Sequence, residues 1–122
     1  MEWKYDDSLP IYPQLVELLK RSIVSGELLP GSRLLSVREM AVEAKVNPNT
    51  MQRALQELER SGLVYSQRNT GRYVTDELSS IDQTREQMAL EAVHDFMDKM
   101  KQLGFSAENA VRIFNETIRK EE

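Results

Sequence analysis

The chain has 122 residues, no cysteine and a formal net charge of −4. That length holds one ordinary domain plus a small appendage. The lack of cysteine excludes a disulfide framework and a thiolate zinc site, and fits a reducing cytoplasm. The apolar runs are too short to span a bilayer, and the acidic N-terminus MEWKYDDSLP has no apolar core, unlike a secretory signal.

Residues 1–9 read as an irregular arm, in which Trp3 and Tyr5 either tuck onto the domain or stay disordered with the rest. Beyond Pro10 and Pro13, the residues Ile11, Leu15, Leu18, Leu19 and Ile23 recur at helical spacing and predict a scaffold helix ending near Ser25-Gly26. Leu28–Leu35 turns at Pro30-Gly31 and is a connector able to add a short strand to a later hairpin.

Residues 36–62 predict two short helices joined by a tight turn. Ser36 with Glu39 forms a capping box, so a helix starts at Val37 and runs out at Lys45-Val46. Asn47 caps the next helix and Pro48 takes its first position, where no backbone N–H is needed. Met51, Ala54, Leu55 and Leu58 give that helix one buried stripe. Ser61-Gly62 ends it, with Leu63 folding back on Leu58. The opposite face carries Asn49, Gln52, Arg53 and Gln56, side chains suited to base edges and phosphates. A polar outer face is also what any surface helix shows.

Residues 63–75 shift the balance between those two meanings of the polar face. Leu63–Gln67 and Arg72–Thr75 are β-rich runs around Arg68-Asn69-Thr70-Gly71, which predicts a hairpin with two arginines at its tip. A helix–turn–helix followed at once by a basic hairpin is a winged helix. Such folds place the second helix in the major groove and the wing along the backbone or minor groove.

After Asp76-Glu77-Leu78-Ser79-Ser80, read as a polar break, Ser80 with Gln83 predicts a capping box opening a long helix to Leu103. Its positions Ala89, Val93, Phe96, Met100 and Leu103 make a heptad-like seam. Gly104 ends it with Phe105 packing back on Met100, and Ser106 caps a last helix with Ala110, Val111, Phe114 and Ile118 on one face. So short a tail does not bury both stripes by itself. Pairing with a second copy is the favoured reading, with Ala89, Val93, Phe96, Met100, Leu103, Val111, Phe114 and Ile118 as the interface. The rival is folding back on the winged helix. The fold class expected is mainly α with a small β-hairpin wing, residues 1–77 being the winged helix and 78–122 a helical dimerisation module.

Charge distribution qualifies the acidic total. Residues 33–75 carry seven basic side chains (Arg33, Arg38, Lys45, Arg53, Arg60, Arg68, Arg72) against four acidic ones (Glu39, Glu43, Glu57, Glu59), whereas 79–122 carry six against nine. The reading head is locally basic and the acid sits in the tail, which implies weak non-specific binding and reliance on dimeric, specific contact.

Residues 11–75 resemble the DNA-binding domain of the GntR superfamily of bacterial transcriptional regulators. The matching pieces are IYPQLVELLKRSIVSGELLPGSRLLSVREMA, VNPNTMQRALQELERSGLV and RNTGRYV. With so short a tail, the whole chain is similar to the YtrA-like branch. It departs at Leu35-Ser36-Val37, where Leu-Pro-Ser-Glu is usual, and at the wing, where Gly-X-Gly-Thr is common in place of Asn-Thr-Gly-Arg. The resemblance implies a dimeric regulator, a repressor in the first reading, that binds double-stranded DNA at a palindromic operator. The family pattern has an arginine at Arg38, which favours phosphate contact there over a salt bridge. Lys45 reads as solvated.

The expected DNA contacts are Arg38, Asn49, Thr50, Gln52, Arg53, Arg68, Thr70, Gly71 and Arg72. Gln52 and Arg53 are the base readers, with Arg38 and Thr50 on phosphate. Members of this branch often control transporter operons. Larger relatives carry an effector domain, for which this tail is too short, so an effector is left unknown and would have to use the dimer groove. The alternative is a winged-helix protein-interaction adaptor. An enzyme is disfavoured by one histidine, no cysteine and no glycine-rich phosphate loop. His94 with Asp98 is at most a weak metal pair, so no catalytic residue, metal or cofactor is expected.

Overall fold

The computed structural model describes residues 1–122. The elements are α1 (Ile11–Val24), α2 (Val37–Ala44), α3 (Pro48–Arg60), β1 (Val64–Gln67), β2 (Gly71–Val74), α4 (Leu78–Gln102) and α5 (Ala107–Glu121). They divide into two compact units, Met1–Arg85 and Glu86–Glu122.

In the first unit, Leu15, Leu19 and Ile23 of α1 are buried with Met40 and Ala44 of α2 and with Met51, Leu55 and Leu58 of α3. Full burial of each large side chain contributes about 1.5–3 kcal/mol, so this shared core fixes α3 against α1 and α2. The arm tucks onto the domain: Tyr5 Oη donates to the Ala44 carbonyl at 3.0 Å.

The ends of α2 and α3 show why the sequence folds as a helix–turn–helix. Ser36 Oγ accepts from the Glu39 N–H at 3.1 Å while Glu39 Oε1 accepts from the Ser36 N–H at 3.2 Å, closing the capping box. Asn47 Oδ1 caps α3 by accepting from the Asn49 N–H at 2.8 Å. At its far end Gly62, with φ 81°, lets the Leu63 N–H reach the Leu58 carbonyl at 3.0 Å. The turn between the helices holds one surprise. Lys45 takes the left-handed conformation, φ 57° and ψ 44°, so that the Val46 N–H bonds the Ala41 carbonyl at 3.1 Å. A lysine there carries the Cβ clash that glycine avoids. Lys45→Gly is therefore expected to raise stability by up to about 1 kcal/mol, part of the relief being returned as chain entropy. Denaturant unfolding checks it; a loss of stability would show that the lysine side chain contributes packing.

The strands β1 and β2 pair antiparallel, Val64 opposite Val74 and Gln67 opposite Gly71, and Tyr65 stacks on Tyr73 at 5.6 Å. The loop turns through Asn69, at φ 66°, as well as through the expected glycine, Gly71, at φ 124°. The connector does contribute: Arg33 bridges Tyr73, and the Leu34 N–H donates to the Arg72 carbonyl at 2.9 Å.

One expectation about the tail is corrected. Ser80 does not open α4; the helix starts at Leu78, and the Ser80 hydroxyl donates to Glu77 Oε2 at 3.3 Å rather than capping. Asp76-Glu77 is the break, with the Glu77 N–H tied to Thr75 Oγ1 at 3.2 Å. The division between the two compact units falls inside α4. Ile81 is buried, and Arg85 donates from Nε and Nη2 to the Val24 carbonyl at 3.0 and 2.7 Å. Those bonds bind the opening turns of α4 to the end of α1.

The second unit is a helical hairpin. The Phe105 N–H returns to the Met100 carbonyl at 3.0 Å, and Ser106 Oγ caps α5 by accepting from the Asn109 N–H at 3.2 Å. Phe96 packs on Phe114 with ring centroids 6.2 Å apart, so these two expected interface residues meet within one chain. Ala110 is buried, and Phe96 and Met100 are half-buried. Leu90, Val93, Leu103, Val111, Phe114 and Ile118 remain 40–72% exposed.

Candidate nucleic-acid interface

Each residue turns an α-helix by about 100°, which spreads the outer face of α3 into an arc. Taking Asn49 as centre, Gln56 lies about 20° to one side and Gln52 about 60°, while Arg53 lies about 40° to the other. The two residues at the edges of the arc are tied to neighbouring elements. The Arg53 guanidinium sits 4.4 Å from the centroid of the Tyr12 ring of α1, a cation–π contact that holds it on the α1 side. Gln52 faces the wing and accepts at Oε1 from Arg72 Nη1 at 3.3 Å. Asn49 and Gln56 are exposed between them, and Thr50 is half-buried.

Arg72 is not a free cation at the wing tip. Its Nε donates to Glu59 Oε1 at 2.6 Å, and its side chain is 19% exposed. Glu59 also accepts from Ser66 Oγ at 2.6 Å. Partial burial pushes the Glu59 carboxyl up, but the bonds from Ser66 and Arg72, with the arginine's charge, outweigh it and leave the pKa below the usual glutamate range. The Glu59–Arg72 pair is accordingly intact at neutral pH, and its contribution is lost only as pH falls through that lowered value.

Of the wing residues named from sequence, Arg68 alone projects as an unpaired cation: it is exposed and makes no salt bridge. The Thr70 hydroxyl donates back to the Gln67 carbonyl at 3.3 Å and to Gln67 Oε1 at 3.2 Å. Gly71 lies under Arg33; a Cβ placed there would meet Arg33 Nε at 3.1 Å. Arg38, on the first turn of α2, is exposed and forms no salt bridge with an acidic neighbour. A cleft of about 490 Å³, lined by Arg33, Ser36, Gly71 and Arg72 among others, separates the start of α2 from the wing.

Sequence reasoning misses three contributors to this surface: Arg33, Tyr12 and Glu59. A signal existed for the last, since Glu59 lies seven residues after Gln52 and so almost directly along the same side of α3. Arg33 counts in the basic surplus of residues 33–75 but nothing local places it over the wing, and Tyr12 comes from an element distant in sequence and carries no local signal. No group of three or more His, Cys, Asp or Glu side chains is placed to hold a metal, and no helix is long and apolar enough to cross a membrane.

Residues 11–74, the helix–turn–helix, connector and wing together, match the model of the family described as bacterial regulatory proteins, gntR family. The chain belongs to that family. It is 39% identical over 108 residues to an uncharacterized HTH-type transcriptional regulator, YhcF, of Bacillus subtilis (strain 168), covering 88% of this chain and 89% of that protein. It is 41% identical over 69 residues to the HTH-type transcriptional repressor YtrA of the same organism, covering 57% of this chain and 53% of YtrA. The solved structure of a GntR family transcriptional regulator from Listeria monocytogenes superposes with a TM-score of 0.84 at 38% identity, over 92% of this chain and 98% of that one. The protein is thus a transcription regulator with a GntR DNA-binding domain, and the family's members are regulators rather than enzymes.

Proposed function

We propose that this GntR regulator acts as a repressor, binding a palindromic operator as a homodimer with α3 of each copy in the major groove. The observation that carries the reading is the outer arc of α3, Asn49, Gln52, Arg53 and Gln56, set beside a wing that projects Arg68. Asn49, near the N-terminus of α3, and Gln52 and Arg53 at the two edges of the arc are the base readers. Arg38 and Thr50 serve phosphates, and Thr70 and Gly71 shape the wing that carries Arg68. Binding as a repressor is supported by the name of the relative YtrA. Acting on DNA places the protein in the cytoplasm.

The homodimer is supported by the second unit. The helical hairpin of residues 86–122 has only two helices with which to cover its apolar faces. It exposes Leu90, Val93, Leu103, Val111, Phe114 and Ile118. A second copy of the same hairpin has the matching apolar face, and closed two-fold pairing satisfies both at once.

Selection of bound duplexes from genomic fragments by the full chain tests the reading: one enriched inverted repeat is expected. A protein that enriches no sequence is not a sequence-specific regulator, and the polar face of α3 then serves a protein partner instead. The wing makes a separate claim. Arg68→Ala is expected to weaken binding to every sequence alike and to lower the slope of log affinity against log salt by about one unit per arginine removed from a phosphate. A changed sequence preference at an unchanged slope would make Arg68 a base reader.

A further inference from the structure

Gln52 enters the outer face of α3 with one of its two hydrogen-bonding atoms already engaged. Its Oε1 accepts from Arg72 Nη1 at 3.3 Å, and Arg72 is held in turn by Glu59 Oε1 at 2.6 Å. Ser66 Oγ fixes the same carboxylate at 2.6 Å. The relay Ser66–Glu59–Arg72–Gln52 therefore joins β1, β2 and α3. A guanidinium has donors only, so it bonds the amide oxygen and never the amide nitrogen. The orientation of the Gln52 amide is set by this, with its two Nε2–H donors left over.

We propose that Arg72 is a positioning residue that sets the base preference of Gln52, on the reading that α3 lies in the major groove. A glutamine with both atoms free pairs bidentately with adenine, accepting from N6–H and donating to N7. With one of the two lone pairs of its oxygen taken and its amide turned by that bond, Gln52 presents its two Nε2–H donors ahead of its oxygen. Guanine fits that pattern, because O6 and N7 are adjacent acceptors, and cytosine is rejected because its N4 is itself a donor. The relay thus assigns guanine to the position that Gln52 reads in each half-site. It also keeps the Arg72 charge on Glu59, away from the phosphates.

The test is selection from a random-sequence duplex library by the full chain as wild type, Gln52→Ala, Arg72→Met and Glu59→Ala, with thermal unfolding and a salt titration of each. Gln52→Ala marks the position by relaxing it. At that position the wild type is expected to take guanine. Arg72→Met keeps the length of the stem and removes the donors, and is expected to shift preference toward adenine by about tenfold at an unchanged salt slope. Glu59→Ala leaves Arg72 untethered and shifts preference the same way by less; it decides the matter if Arg72→Met does not fold. A residue that only braced the wing would lower affinity for all sequences alike.

Three results overturn the proposal while leaving α3 as the reader. One is adenine preferred by the wild type at the marked position. Another is a marked position whose preference ignores both Arg72→Met and Glu59→Ala. The third is a salt slope reduced by about two units, one per copy, in Arg72→Met with preference unchanged, which makes Arg72 a phosphate contact. If Gln52→Ala marks no position at all, the major-groove reading fails and this proposal fails with it.

Discussion

Val93→Asp is expected to turn the protein into a monomer while leaving its helical hairpin folded. Val93 is 55% exposed in the single chain, so an aspartate there meets solvent when the chain is alone. In a packed apolar interface between two copies, the same carboxylate is buried without a partner, at a cost of several kcal/mol per copy. Phe96 is a poorer probe of the dimer. It packs on Phe114 of its own chain, and a charge at that position breaks the hairpin as well as any pairing. Sedimentation should show dimeric wild type and monomeric Val93→Asp at micromolar concentration, with helix content retained. Operator affinity should fall by about 10²–10⁴-fold, the usual advantage of bivalent over single-site binding. A wild type already monomeric at that concentration, or a variant that stays dimeric, removes the second unit from the interface.

How much of this was legible in the sequence depended on whether the signal was local. The capping box at Ser36, the Asn47-Pro48 start and the glycine stop at Gly62 act within a few residues, and all formed as their chemistry dictates. The hairpin formed for the same reason, and the long connector found its strand partner in Tyr73. Ser80-Gln83 met the capping pattern and still failed. Ile81 and Arg85 had better partners in the core and at the Val24 carbonyl, so the helix began earlier and ran through the serines. Burial outweighed a cap worth about 1 kcal/mol. At the candidate site, the periodicity of α3 placed Gln52 and Arg53 on its outer face. It was silent on what each would touch, because Tyr12 and Arg72 approach from α1 and β2. Arg72 shows this most clearly. Its position beside the turn suggested a free wing-tip cation, whereas the strand pleat turns it back to Glu59. Separate stripes place Phe96 and Phe114 at the expected interface, and only folding of the α4–α5 turn reveals that they face each other.

Arg53→Ala carries the other large expectation, because the proposed homodimer would lose the proposed contact twice. One good bidentate pair to a base contributes about 1–3 kcal/mol of discrimination, so two half-sites lose about 2–6 kcal/mol together. Stability should hardly change. The side chain is exposed and outside the core, and its cation–π contact with Tyr12 contributes about 0.5–1 kcal/mol at such a site. The stacking makes a further variant informative. Tyr12→Leu leaves the guanidinium in place but removes the ring that steadies it, so affinity should fall by a fraction of the Arg53→Ala loss, with preference at the same base pair loosened. DNA selection and competition binding with each variant, beside thermal unfolding, separate the possible roles. Relaxed preference at one symmetric pair of positions supports base readout. A uniform loss of affinity with a salt slope lower by about two units, one per copy, makes Arg53 a phosphate contact instead. Unchanged affinity and preference in Arg53→Ala would leave the α1 edge of α3 outside the DNA interface, and base reading would then rest on Asn49, Gln52 and Gln56.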